Sequence, residues 1–240
     1  METNLLKKLP YEKAMIPKEL HIMLNEIGTV KPMHQGRHLF HEGEDAHEIY
    51  LIKSGQIQID KLTSDGKELT LRICNRGDIV GELTLFSQHA TYFLSAKVIE
   101  SGEVVMLNKD KLERELLSNP ALTLEFMKWS ADHMRKFQTK IRDLLLNGKK
   151  GALYSTLIRL SNSYGVVHKN GILIDMVFTN RELAQFCAAR RESINRMLSE
   201  LKKMGVISME ENGKILIKDI KFLRDEIGCE YCPIELCNIN

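Results

Sequence analysis

Between residues 27 and 108 apolar and polar positions alternate with a period of two, in short runs broken at glycine. Glu48-Ile-Tyr-Leu-Ile-Lys53, Gln56-Ile-Gln-Ile-Asp60 and Leu69-Thr-Leu-Arg-Ile73 are such runs. Ser54-Gly55, Asp65-Gly66, Gly77-Asp78 and Ser101-Gly102 punctuate them. Side chains of a strand point alternately to its two faces, so this pattern, with turn signals at roughly 8–12-residue spacing, predicts an all-β barrel or jelly roll. No residues for covalent chemistry stand out in it, which reads as a sensing or scaffold module.

Past Lys109 the period becomes helical. Met127, Met134 and Ile141 recur every seven residues, with Phe137 and Leu144 on a second seam. That a/d pattern predicts a helix that pairs with another helix. Asn147-Gly148 reads as its C-cap, a second helical stretch covers 152–164, and a loop is expected through Gly171. Thr179, with Glu182 three positions on, offers a capping box to a short helix ending near Cys187. A turn leads to a second helix with Ile194, Leu198 and Leu201 on its apolar side, closed by Gly205. Ile207-Ser-Met and Gly213-Lys-Ile-Leu-Ile-Lys218 then read as a hairpin, completing a winged helix-turn-helix. The fold class is α+β. Its divisions are a helix and β-roll over 1–108, a dimerisation helix over 109–148, the winged module over 149–220 and a cysteine-rich tail over 221–240.

The 240 residues suit two modest domains, and 43% apolar with 28% charged residues is an ordinary globular balance. The polar start through Lys7 and Lys8 lacks the apolar core of a signal peptide, and no run reaches membrane-span length. A cytoplasmic protein is expected, with no membrane partner. The net charge of +2 says little, but residues 179–218 hold eight Lys and Arg against five Glu. Arg191, Glu192, Asn195 and Arg196 share the polar face of the second helix. Arg can bond guanine O6 and N7, Glu can accept from cytosine N4, and Asn suits adenine or phosphate, so double-stranded DNA is the expected partner. No nucleophile–base pair, phosphate loop or dinucleotide fingerprint is present, so an enzyme is not expected.

Three of the five cysteines fall in the tail as Cys229, Cys232 and Cys237, spaced C-x2-C-x4-C with Pro233 after the second. In a reducing compartment such gathering points to metal. Iron–sulfur clusters take compact runs of this kind, whereas zinc commonly wants four ligands, and the tail supplies three. Iron–sulfur, zinc and an incidental cysteine-rich tail stay open on spacing alone. Cys74, in an alternating strand, and Cys187, on a helix among apolar residues, read as buried small hydrophobes. Asp143 flanks the last turns of the long helix, where it suits either a surface pair with Arg142 or Lys140 or a ligand role.

The order of β-roll, long helix and winged helix-turn-helix resembles the Crp/Fnr family of bacterial transcription regulators over essentially the whole chain. The sharpest pieces are Val80-Gly81-Glu82-Leu83-Thr-Leu85-Phe86 in the roll and Arg191-Glu192-Ser193-Ile-Asn-Arg196 in the recognition helix. With the tail cysteines, the chain is most similar to the Bacillus-type Fnr branch. The resemblance implies a homodimer on a palindromic TGTGA-type site, with RNA polymerase as a partner. It implies a [4Fe–4S] cluster on Cys229, Cys232 and Cys237, with Asp143 of Ile141-Arg-Asp143-Leu as fourth ligand, and oxygen-dependent activity at anaerobic genes. Loss of the cluster would release the tail from the long helix. The Arg-Ser/Thr pair that holds the phosphate in cyclic-AMP-binding members falls here on Tyr92-Phe93, which speaks against cyclic AMP. Glu82 is then expected to be structural, satisfying backbone donors in the roll. The alternative is a small-molecule-responsive regulator of the same family whose tail holds structural zinc.

Overall fold

The computed structural model describes residues 16–63 and 68–239. The polar start with Lys7 and Lys8 and the Asp65-Gly66 turn lie outside the described residues. Two compact units divide the chain between Asp132 and His133.

The first unit opens with α1 (Lys18–Ile27) and continues through β1 (Thr29–Met33), β2 (His38–Phe40), β3 (Glu48–Leu62), β4 (Glu68–Cys74), β5 (Ile79–Val80) and β6 (Ser95–Asn108). These strands form one six-stranded antiparallel sheet in the order β1-β6-β3-β4, with β2 on β6 and β5 on β3. Alternation along β3 sorts its side chains into two cores. Ile49 and Leu51 join Leu20, Leu24, Leu107, Leu112 and Trp129 under the helices. Tyr50 and Ile52 face Phe40, Tyr92 and Val98 inside the roll. Burying both faces stabilises by roughly 25 cal/mol per Å2 of apolar surface removed from water.

Two of the expected turns are bulges instead. Ser54-Gly55 and Ser101-Gly102 lie within continuous β3 and β6, where the pairing register shifts between Ile52 and Gln56. A Cβ on Gly102 would stand 2.2 Å from the Ser54 carbonyl oxygen, and one on Gly55 2.6 Å from that of Glu100. Close backbone approach, rather than chain reversal, requires glycine there.

The helix read as continuous from Lys109 is broken. Asn108 caps α2 (Lys109–Ser118), Asn119 ends it, and α3 (Pro120–Leu146) starts at the proline, a residue suited to a first helical turn. The division between units falls inside α3, whose first part carries Phe126 and Trp129 into the core of the first unit.

In the second unit α3 gives way at Asn147 to α4 (Gly148–Tyr164), which is buried continuously from Gly151 to Ser161. Residues read as a loop form the hairpin β7 (Gly165–His168) and β8 (Gly171–Ile174). It joins the wing strands β9 (Ile207–Met209) and β10 (Ile215–Ile217) in a four-stranded sheet, order β7-β8-β10-β9. The expected capping box starts α5 (Asn180–Phe186): Thr179 Oγ1 accepts from Glu182 N, and Glu182 Oε2 accepts from Thr179 N. After a turn with Ala188 at φ 48°, α6 (Arg191–Lys203) buries Ile194, Met197, Leu198 and Leu201.

The tail begins later than expected. Asp219 caps a further helix, α7 (Ile220–Glu226), through Phe222 N; α7 buries Leu223 and packs on α4, with a Tyr154–Phe222 ring contact between them. The boundary placed at residue 220 therefore belongs after residue 226. No helix among the described residues is long and apolar enough to cross a membrane.

Candidate metal centre and nucleic-acid interface

Local geometry fixes each tail cysteine. The C-terminus of α7 closes with Gly228 at φ 57° and Cys229 N donating to Arg224 O at 2.9 Å, which sets Cys229. Tyr231, at φ 53° with the Arg224 guanidinium 5.7 Å from its ring, turns the chain before Cys232. Pro233 O accepts from Leu236 N and Cys237 N, folding the turn that carries Cys237. The three cysteines, Asp143, Arg142, Ser155 and Arg159 line one cavity of about 100 Å3. Cys74 and Cys187 are buried away from it, at 0% and 2% exposure, as small hydrophobes should be.

Asp143 is buried, not on the surface. Its Oδ2 accepts from Ser155 Oγ at 2.6 Å and Arg159 Nη2 at 2.8 Å. Its Oδ1 accepts from Arg142 Nε and Nη2 at 3.2 and 3.0 Å. Burial alone would raise the Asp143 pKa; the hydrogen bonds of Ser155 and Arg159, then the charge of Arg159 and the bond from Arg142, outweigh it and hold the carboxyl below its ordinary range. Burial pushes the Cys237 thiol up, with Arg159 opposing.

Arg159 is the residue that sequence reasoning missed. Its side chain is 2% exposed. Besides Asp143 it donates to Thr139 Oγ1 on α3, to Ser155 Oγ on α4, and to the carbonyls of Leu236 and Asn238 in the tail. The signal was an arginine inside the apolar run Leu157-Ile-Arg159-Leu160, where an unpaired charge would be costly. Asn162 donates to Cys237 O, and Ser163 Oγ accepts from Ile239 N. The tail is thus fastened to α4 through groups other than its thiols, which limits the release expected on losing a metal.

The donor chemistry fits an iron–sulfur group. Thiols and a carboxylate face one cavity beside two guanidinium groups that offset their negative charge. Among the described residues no three His, Cys, Asp or Glu side chains are close enough together to hold a single metal ion. A cluster binds each protein ligand through a different iron, so its ligands stand wider apart than those of one ion.

The four residues expected to read DNA share the exposed side of one helix. Arg191, Glu192, Asn195 and Arg196 are exposed on α6, opposite its buried side. Asn195 Oδ1 accepts from Asn180 Nδ2 at 3.1 Å, tying α6 to the start of α5. In the roll, Tyr92 stacks on Phe40 with ring centroids 3.7 Å apart and donates to Glu48 O at 2.7 Å. Glu82 does not serve backbone donors: both its carboxylate oxygens accept from Arg72 Nη2, at 3.0 and 3.1 Å.

Comparison with known proteins agrees with this architecture. Residues 30–119 match the family described as cyclic nucleotide-binding domain, and residues 151–226 match the Crp-like helix-turn-helix domain. The chain is 60% identical to the anaerobic regulatory protein of Bacillus subtilis, over 99% of this chain and 100% of that one. It is 27% identical to a CRP-like cAMP-activated global transcriptional regulator of Mycobacterium tuberculosis, over 77% and 82% of the two chains. The solved structure of the c-di-GMP-responsive regulator CLP of Xanthomonas campestris superposes with a TM-score of 0.74 at 18% identity, covering 85% and 100%, a likeness of fold.

Proposed function

This chain belongs to the Crp/Fnr family of DNA-binding transcription regulators, and from that premise we propose that it is an oxygen-responsive regulator of anaerobic genes governed by a [4Fe–4S] cluster. The observation that carries the reading is the convergence of Cys229, Cys232, Cys237 and Asp143 on one cavity. The name of the Bacillus subtilis relative, an anaerobic regulatory protein, supports the physiological context. When bound, the cluster supplies an oxygen-labile iron, least well matched at its carboxylate ligand. The chain's own residues do the rest. Arg159 and Ser155 hold Asp143 in place, and Arg159 and Asn162 hold the tail carbonyls against α4.

DNA binding is assigned to Arg191, Glu192, Asn195 and Arg196, reading a TGTGA-type half-site from each of two subunits. A palindrome asks for a twofold protein. Met127, Met134, Phe137 and Ile141 support that pairing, since these large apolar side chains are exposed along α3. Water would be excluded from them by a second α3. The roll acts as scaffold: Tyr92 is stacked on Phe40 and donates to Glu48 O, and Glu82 is committed to Arg72. RNA polymerase is the expected downstream partner.

The test is anaerobic purification with iron and sulfide assay and a visible spectrum before and after air. About four irons per chain, with broad absorbance that bleaches in air, is the expected result. Zinc in place of iron would point to the structural-zinc alternative. Cys232→Ala should abolish both the colour and specific anaerobic DNA binding; binding that survived unchanged would break the link between centre and DNA.

A further inference from the structure

The two oxygens of Asp143 are held by donors of different character. Oδ2 is held by Ser155 and Arg159, both buried. Withdrawing Oδ2 would strip the counter-ion from a guanidinium 2% exposed, a strongly unfavourable change. Oδ1 is held by Arg142, the neighbouring residue on α3, whose side chain is 32% exposed. Arg142 also pairs with Glu230, between Cys229 and Cys232, and lines the same cavity as Cys232. Giving up Oδ1 leaves Arg142 solvated and still paired, at the small cost of a partly exposed ion pair.

Resting on the reading of Asp143 as the cluster's oxygen ligand, we infer that Oδ1 is the ligating atom, that Arg142 is a displaceable gate over it, and that Ser155 and Arg159 are positioning residues that retain Oδ2. On ligation the two N–H···Oδ1 hydrogen bonds break and one iron–oxygen bond forms. No proton transfers between the partners, because the guanidinium stays charged throughout. Arg142 remains useful after it moves: three thiols that become thiolates add negative charge beside it, and Glu230 keeps it close. The same arginine competes for Oδ1 whenever iron leaves it. The gate therefore acts on the rate of assembly, and the positioning pair acts on where the ligand oxygen stands.

Arg142→Gln removes the charge and leaves Ser155 and Arg159 in place. Metal-stripped wild-type and R142Q proteins are reconstituted anaerobically with equal amounts of ferric and ferrous iron and with sulfide, which supply the cluster's oxidation level without a further oxidant, and the rise of visible absorbance is timed. R142Q should assemble about two- to fivefold faster, the rate equivalent of a partly exposed ion pair, and reach the same iron and sulfide content. In an Asp143→Ser background the acceleration should vanish. Ser155→Ala should assemble no faster than wild type and bleach faster in air, because its carboxylate is less firmly held. Wild-type rates in R142Q, or an equal acceleration with and without Asp143, overturn the gate alone. A wild-type protein that takes up no iron and sulfide overturns the metal-centre reading and the gate with it.

Discussion

Replacing Arg159 by Met in metal-free protein isolates the buried ion pair with Asp143. The two groups are 2.8 Å apart, with side chains 2% and 8% exposed, so water cannot take over the role of either. Removing one partner of a buried pair costs about 3–5 kcal/mol. Arg142 still reaches Oδ1, which places this case near about 3 kcal/mol. At about 4 °C per kcal/mol for a unit of this size, Tm should fall by roughly 12 °C. The deficit should depend on pH in a defined sense. With its donors present, the folded-state pKa of Asp143 lies below the unfolded value of about 3.9. Its contribution is therefore complete above that value and lost as pH falls through the folded one. The Arg159→Met deficit should be full at pH 7 and shrink as pH falls below the ordinary carboxylate range, where Asp143 takes up a proton in the variant first and then in both proteins. Pairing Arg159→Met with Asp143→Leu should recover more than half of the loss, because an apolar pair needs no counter-charge. Urea unfolding followed by circular dichroism reads all of this. A loss under about 1 kcal/mol, or a double variant no better than the single one, would refute the reasoning.

Three further outcomes follow from other parts of the molecule. Arg196→Ala should weaken binding to a TGTGA-type duplex by about 1–3 kcal/mol, roughly five- to 150-fold, by fluorescence anisotropy. Lys140 is buried, and burial, then Arg159, against the pull of Cys187, bring its pKa down to about 7. Between that value and about 10.4 the unfolded chain binds the extra proton, so stability should rise with pH by up to about 1.4 kcal/mol per unit. Lys140→Met should flatten that rise and be the more stable protein at pH 7, as urea midpoints from pH 7 to 9 would record. Met134→Glu should weaken self-association by about tenfold or more, since pairing would bury one unpaired carboxylate per chain, and sedimentation velocity measures it.

Much of the fold was legible because period and punctuation are local. The alternation around Ile49 to Ile52 declares a strand, and Thr179 with Glu182 declares a helix start, without reference to distant residues. Glycine is ambiguous at that range. Gly55 and Gly102 look like turns until β3 and β6 are laid side by side. The β7–β8 hairpin is four residues per strand, too short for its own alternation to register before β10 supplies a partner. The gathering of the tail cysteines was visible in their spacing, and the charged face of α6 in its helical period. Arg159 could not be placed in the same way. Its partners lie on α3 and in the tail, and an arginine in an apolar run says only that some partner exists.

The fastening of the tail to α4 has a consequence for repair. Asn162 and Arg159 grip main-chain carbonyls at Leu236, Cys237 and Asn238, and Ser163 takes the amide of Ile239. These bonds hold whatever the sulfurs are doing. A loop closed in advance has already lost the conformational entropy that a free tail would surrender at about 1–2 kcal/mol for each residue fixed. On the proposed reading, thiols kept at one cavity would face incoming iron at high effective concentration, and rebuilding would be a local event rather than a search. A regulator that lost and regained a cluster there would be suited to many such cycles within the life of one polypeptide.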